Sequence, residues 1–241
     1  MPNQPPAVSA PPLLSVLVPV YNERHTVDTL LRRVLDAPLP MAREVLVGDD
    51  GSTDGTRDLL KRWRGTTGVR IEFMPSNVGR GGVIKALWTQ ARGSLIIHQD
   101  ADLEYDPNEY GRLVAPLLAD EADVVYGSRF KGSIAGMRLA NGIGNRLLTW
   151  SCRLLYGVQI TDLMTCYKVY RASLVEGLTM DADGFDFEAE LTARFVQRGA
   201  RFAEVPISFS GRTAEQGKKI RAIDALYTTQ RLWQSRARRV S

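Results

Sequence analysis

The sequence predicts an α/β fold, a Rossmann-like and mainly parallel sheet covered by helices on both faces. Two observations predict it. Short apolar runs rich in Val, Leu and Ile alternate with longer segments of helical period, and repeated strand–helix units build parallel sheets. The chain has 241 residues, 44% hydrophobic and 24% charged. That is a globular composition, long enough to bury one sizeable core.

The elements follow in order. Leu14 to Val18 reads as a first buried strand, followed by a helix over His25 to Asp36. Glu44 to Val47 is a second strand, and Thr53 or Asp54 supplies a capping oxygen for the helix reaching Trp63. Val69 to Phe73, a helix over Val83 to Ala91, and Ser94 to His98 continue the alternation. Pro107 suits the first turn of a helix ending near Leu118, and Asp123 to Tyr126 is a fifth strand. Beyond Arg129 the pattern changes. A helix over Arg138 to Tyr156 carries Leu139, Ile143, Leu147, Trp150 and Leu154 on one side. A strand over Met164 to Tyr170, a helix over Phe187 to Gln197, a strand over Phe202 to Ile207 and a basic amphipathic helix from Ile220 to about Arg236 complete the chain.

This organisation predicts a disordered tail at 1–12 and a single domain at 13–241. The domain divides into a nucleotide half (13–129), an acceptor half (130–219) and a closing basic helix and tail (220–241). The start lacks the basic and apolar regions of a signal peptide. No run approaches the ~18–20 apolar residues of a membrane span. Two cysteines, Cys152 and Cys166, make no disulfide framework. The net charge of +4 is uneven: from Gly211 onward eight Lys or Arg face two acids, so that segment carries +6 and the rest −2. A nucleic-acid binder spreads its cations over a face. Cations gathered at one end suit a phosphate pocket or a membrane surface instead.

Ligands of open α/β sheets sit beyond the carboxyl ends of the strands. The residues there are Pro19, Tyr21, Asn22 and Glu23; Asp49, Asp50, Gly51 and Ser52; Asp100, Asp102 and Glu104; and Ser128 and Arg129. Asp100 and Asp102, two apart at a strand end, are expected on one side. Paired carboxylates there make a hard oxygen site for Mg²⁺ or Mn²⁺. An EF-hand beginning at Asp100 would need Gly at Tyr105 and Glu at Gly111. The first strand lacks the glycines of a dinucleotide fingerprint, and Gly79, Gly81 and Gly82 lack the Gly-Lys-Ser/Thr of a P-loop. That glycine cluster reads equally as a flexible helix start or as a phosphate or sugar contact. The two lone histidines, His25 and His98, stand far apart in sequence, which argues against a histidine-based metal or triad site.

Five ordered motifs resemble glycosyltransferase family 2: VPVYNE (Val18 to Glu23), DDGSTDGT (Asp49 to Thr56), NVGRGG (Asn77 to Gly82), DADLEYDP (Asp100 to Pro107) and GSR (Gly127 to Arg129). The continuation is similar to the dolichol- and polyprenyl-phosphate mannose synthase branch. It comprises TDLMTCYKVYR (Thr161 to Arg171), GFDFEAEL (Gly184 to Leu191), EVPISF (Glu204 to Phe209) and SGRTAEQGKK (Ser210 to Lys219). The TCYK at Thr165 to Lys168 departs from the TGSF of mannose synthases.

The resemblance implies a GT-A fold and inverting transfer of a hexose from a nucleotide diphosphate sugar (GDP-mannose or a UDP-sugar) to a polyprenyl phosphate. It implies that Pro19, Tyr21 and Glu23 face base and ribose, and that Asp50, more than Asp49, binds the nucleoside. Asp100, Asp102 and Glu104 would hold the metal. Arg129 would bind acceptor phosphate or donor, and Arg212 and Lys218 the diphosphate from a mobile loop. A phosphate acceptor needs no general base. A hydroxyl acceptor would need one, with Asp186, Glu188 and Glu190 as candidates, of which Glu190 matches the family's glutamate. Transfer to a hydroxyl of a cell-surface glycan or lipid is the alternative activity, and a non-catalytic nucleotide-binding module the alternative class.

A lipid acceptor places the enzyme at a membrane. The expectation is a cytoplasmic protein held peripherally at the membrane face, with no nucleic-acid partner and with a membrane-protein partner as a further candidate. In the closing helix Ile220, Ile223, Leu226, Tyr227, Leu232 and Trp233 supply apolar contacts, and Arg231, Arg236, Arg238 and Arg239 supply charge. Packing of this segment on the core is the competing reading.

Overall fold

The computed structural model describes residues 12–184, 186–212 and 222–237. Seven strands form one sheet in the order β3-β2-β1-β4-β6-β5-β7. They are β1 (Leu13–Val20), β2 (Ala42–Asp49), β3 (Val69–Phe73), β4 (Leu95–His98), β5 (Val124–Ala135), β6 (Lys168–Arg171) and β7 (Phe202–Ser210). β1 pairs in parallel with β2 and β4, β2 with β3, and β5 with β7. β6 runs antiparallel between β4 and β5. The expected mainly parallel sheet is present.

Strand alternation sends side chains to two cores. Val16 and Val18 join Leu30 and Val34 of helix α1 (Val27–Asp36), Leu60 of α2 (Thr56–Arg62), and Leu113 and Leu117 of α4 (Tyr110–Leu118). Leu17 and Leu46 join Val83 and Leu87 of α3 (Gly79–Trp88), Leu148 of α5 (Leu139–Tyr156) and Phe195 of α6 (Phe187–Gln197) on the other face. The last helix, α7 (Ala222–Ala237), packs on α5 and α6.

Several boundaries differ from expectation, three of them for a plain local reason. α3 begins at Gly79, four residues before Val83, because the Asp50 carboxylate accepts the amides of Val78 (2.6 Å) and Gly79 (3.1 Å). β6 begins at Lys168 because residues 164–167 turn, with Lys168 Nζ donating to the carbonyls of Leu163 and Thr165. β5 continues to Ala135, held by β7 beyond an irregularity at Ser128–Ser133. β4 stops at His98, as expected, and Gln99 turns inward to accept from the hydroxyls of Tyr110 and Tyr167 at 2.7 Å each. Asp100 and Asp102 therefore lie on a turn, which includes Leu103 at φ +64°, and not on a strand end.

The five apolar residues expected on one side of α5 do share a side, and it is the side away from the core. Leu139, Ile143, Leu147, Trp150 and Leu154 point outward, and the buried face is Asn145, Leu148, Thr149, Cys152 and Leu155.

Candidate active site

A cleft of about 790 Å³ opens beyond the carboxyl ends of the parallel strands. Pro19, Tyr21 and Glu23 form one wall, at the end of β1. The loops after β1 and β2 are knitted together there. Asn22 takes a left-handed conformation that asparagine tolerates; its amide donates to Ser52 Oγ at 2.9 Å, and its own Oδ1 accepts the Thr53 amide at 2.8 Å. The Glu23 amide donates to Thr56 Oγ1 at 2.9 Å. Gly55, and neither Thr53 nor Asp54, occupies the N-cap of α2, while Asp54 accepts the Thr56 amide at 3.0 Å.

Asp49 and Asp50 diverge. Asp50 lines the cleft while its carboxylate caps α3. Asp49 is fully buried outside the cleft wall, paired with Arg57 Nε at 2.5 Å. The glycine cluster is the start of α3, and Gly79 of it also lines the cleft. At Gly79, φ is +81° and an added Cβ would stand 2.5 Å from the Asp183 carbonyl oxygen, so only glycine fits.

At the cleft floor is a charge network that sequence reasoning missed. Arg80 donates through Nε to Asp100 Oδ1 (2.8 Å), through Nη1 to Glu188 Oε1, and through Nη2 to Cys166 Sγ (3.2 Å). Glu188 also pairs with Lys168, whose Nζ is wholly buried, and lies 3.8 Å from His98 Nδ1. Burial opposes the charge on Glu188, but Lys168 and Arg80 outweigh it and hold the carboxyl well below its ordinary value. Burial pushes Lys168 down from its ordinary value, with Glu188 opposing. The one sequence signal for Arg80 was its place within NVGRGG, a cation among glycines at a helix start.

Asp100, Asp102 and Glu104 all line the cleft but do not converge as three ligands. Glu104 Oε1 accepts the Arg212 amide at 2.8 Å, which commits it to the end of β7. Asp102 Oδ1 accepts the Glu104 amide at 3.2 Å, and Asp102 Oδ2 lies 3.7 Å from Arg212 Nη2. Among the described residues no group of three or more His, Cys, Asp and Glu is arranged to hold a metal. Asp100 and Asp102 remain hard oxygen donors on one cleft, each faced by a guanidinium. Lys218 lies outside the described residues.

Arg129 reaches the cleft but is committed. Its Nε and Nη2 donate to Asp162 at 2.7 and 2.8 Å, and its guanidinium stacks 5.1 Å from the Phe209 ring. Asn145 of α5 donates to the same aspartate at 2.5 Å. Glu190 stands apart from the cleft. It accepts the amides of Asp181 and Ala182 (3.1 and 2.8 Å) and pairs with Arg194. Glu188, two residues earlier, lines the cleft. Asp186 pairs with Arg231 of α7 at 2.9 Å.

Residues 15–179 match the family described as Glycosyl transferase family 2. The chain is 31% identical to an undecaprenyl-phosphate mannosyltransferase of Micrococcus luteus, over 84% of this chain and 85% of that protein. The chain belongs to glycosyl transferase family 2. It is accordingly a glycosyltransferase. It is also 34% identical to a polyprenol monophosphomannose synthase of Mycolicibacterium smegmatis (82% of this chain, 77% of that one). In fold, this glycosyltransferase resembles glucosyl-3-phosphoglycerate synthase from Mycobacterium tuberculosis, solved with Mn²⁺, UDP and glucosyl-3-phosphoglycerate. The TM-score is 0.72 at 19% identity, covering 94% of this chain and 80% of that one. The fold is GT-A, as the motifs implied.

Proposed function

We propose that this glycosyltransferase moves a hexose from a nucleotide diphosphate sugar to a polyprenyl phosphate, with inversion at the sugar carbon. The observation that carries the choice of acceptor is the state of three acids around the start of α6. A hydroxyl acceptor requires a general base. Glu188 is held ionised by Lys168 and Arg80, which makes it a weak base. Asp186 is paired with Arg231, and Glu190 serves backbone amides outside the cleft. A phosphate monoester needs no base, because its second pKa is near 6. The names of the two curated relatives support the same acceptor class.

The residues divide the work as follows. Pro19, Tyr21, Glu23 and Asp50 receive the nucleoside on the β1–β2 side of the cleft. Asp100 and Asp102 offer hard oxygens on one cleft and would hold Mg²⁺ or Mn²⁺ in place of the guanidinium groups of Arg80 and Arg212 that now face them. When bound, the cation withdraws charge from the leaving diphosphate as a Lewis acid. Arg212 holds a guanidinium at the same edge, ready for the charge that develops on the leaving oxygen, and Lys218 joins it in this reading. Arg129, fixed by Asp162, offers positive potential to the acceptor phosphate. A phosphate oxygen attacks the anomeric carbon from the face opposite the diphosphate. The bond to the leaving oxygen breaks, and the nucleoside diphosphate departs with the electron pair.

Purified protein incubated with radiolabelled GDP-mannose, UDP-glucose or UDP-N-acetylglucosamine, polyprenyl phosphate in detergent, and Mn²⁺ tests this. Label should enter the organic phase from one donor and be released by mild acid. An acid-stable product formed only on hydroxyl acceptors overturns the reading.

A further inference from the structure

Helix α5 separates two environments. Its inner side contributes Ala140, Asn141, Gly144, Asn145 and Leu148 to the cleft. Its outer side carries Leu139, Ile143, Leu147, Trp150 and Leu154, each 50–80% exposed. At ~100° and ~1.5 Å per residue these five fall within an arc of about 80° and a length of about 22 Å. An exposed apolar stripe of this extent marks a docking surface.

Charge selects the occupant. From Phe130 to Thr161 there is no Asp or Glu, while Lys131, Arg138, Arg146 and Arg153 are present. Arg146 and Arg153 are exposed beside one edge of the stripe, and neither has a carboxylate partner among the described residues. A second copy packed stripe to stripe would set these arginines against their own equivalents, a repulsive arrangement. An anionic bilayer accepts all the features together: aliphatic side chains below the headgroups, Trp150 at the interface, and arginine heads among phosphates. No described helix is long and apolar enough to cross a membrane, so the fitting geometry is a helix lying in the surface. The expected alternative was α7. Its Leu232 is buried, the Leu232 carbonyl accepts from Tyr156 Oη, and Arg231 is tied to Asp186, although Trp233 is exposed.

We infer that α5 is the membrane-docking helix, lying in an anionic bilayer surface so that a lipid-borne phosphate enters the cleft along its inner side. The inference rests on the proposed acceptor class only for its purpose, because docking is measurable without acceptor.

The full chain is sedimented with phosphatidylcholine vesicles containing or lacking phosphatidylglycerol. The wild type should bind the anionic vesicles, and the variant Leu147→Ser with Trp150→Ser should bind about tenfold or more weakly, as loss of the apolar anchor requires. Neither residue lines the cleft. Transfer to a short-chain, water-soluble acceptor phosphate should therefore stay unchanged, while transfer to a vesicle-borne one falls. A variant with altered thermal unfolding is replaced by Leu154→Gln, read in the same way. Equal vesicle binding by wild type and variant overturns the inference. So does a wild type that ignores vesicles but self-associates through these residues in analytical ultracentrifugation. Vesicle binding with no transfer to either acceptor overturns the proposed function and leaves the docking surface standing.

Discussion

Arg212 Nη2 donates to Glu23 Oε2 at 2.8 Å, joining residues 189 positions apart. The contact ties the end of β7 to the loop after β1, across the mouth of the cleft. Arg212 Nε also donates to the Asp102 carbonyl at 3.1 Å. One guanidinium thus touches the loop after β1 and the acidic turn together.

Replacing Arg212 with alanine should lower kcat/KM by roughly 10²–10³, the usual cost of removing a fixed donor to a developing oxyanion. Arg212→Lys should recover part of this, since it restores charge but not the fork. Steady-state kinetics at saturating Mn²⁺ measure both. An alanine variant within a factor of two or three of wild type removes Arg212 from the mechanism.

Asp102→Ala should abolish transfer and leave the fold intact. Its carboxylate accepts one neighbouring amide, that of Glu104, and is not in the core. Thermal unfolding close to wild type, together with loss of Mn²⁺-dependent nucleotide binding by calorimetry, is the expected pair of results. Near-normal turnover would discard the metal assignment.

Glu188→Gln should destabilise the protein at neutral pH and flatten its acid response. Removing the carboxylate leaves Lys168 buried without its counter-ion, and breaking such a pair costs roughly 3–5 kcal/mol. The folded-state pKa of Glu188 lies below its ordinary 4.5. Its contribution is therefore complete above about that pH and is lost as pH falls through the folded value. Urea unfolding between neutral and acid pH should show a shallower decline for the variant than for the wild type. Parallel curves would mean that Glu188 is not ionised in the fold.

Neither thiol should react with iodoacetamide at pH 8 in the folded protein, and both should react in denaturant. Burial pushes Cys152 up to about 12 from its ordinary 9.0, with Lys168 opposing, and pushes Cys166 well up. The thiolate is the reacting form, so both are protected. The stability contributed by Cys152 is full below pH 9 and is lost as pH rises toward 12. Mass spectrometry of the alkylated protein checks this; stoichiometric native labelling would contradict the burial of both side chains.

Much of the molecule was legible in the sequence. Alternating apolar runs and helical periods gave the parallel sheet, because each strand buried on both faces must be hydrophobic along its length. Strand ends then located the cleft, since parallel strands deliver their carboxyl ends to one edge. Pro19, Tyr21, Glu23, Asp50, Asp100, Asp102, Glu104, Arg129 and Arg212 all reach it. The ordered motifs carried the family.

Other decisions belonged to the tertiary structure alone. Asp49 and Asp50 are adjacent, and only the packing of Arg57 and α3 sends one into the core and the other to the cleft. Glu188 and Glu190 sit two apart on a helix, about 200° apart around its axis, so one faces Lys168 and Arg80 while the other faces the amides of Asp181 and Ala182. No local pattern says which, because Lys168 and Arg80 arrive from distant segments. Helix α5 is the clearest case. It has apolar residues on two sides about 100° apart, Leu148 and Leu155 inward and Leu147 and Leu154 outward. Helical period alone cannot choose between two such faces; the sheet, which takes one of them into the core, makes the choice.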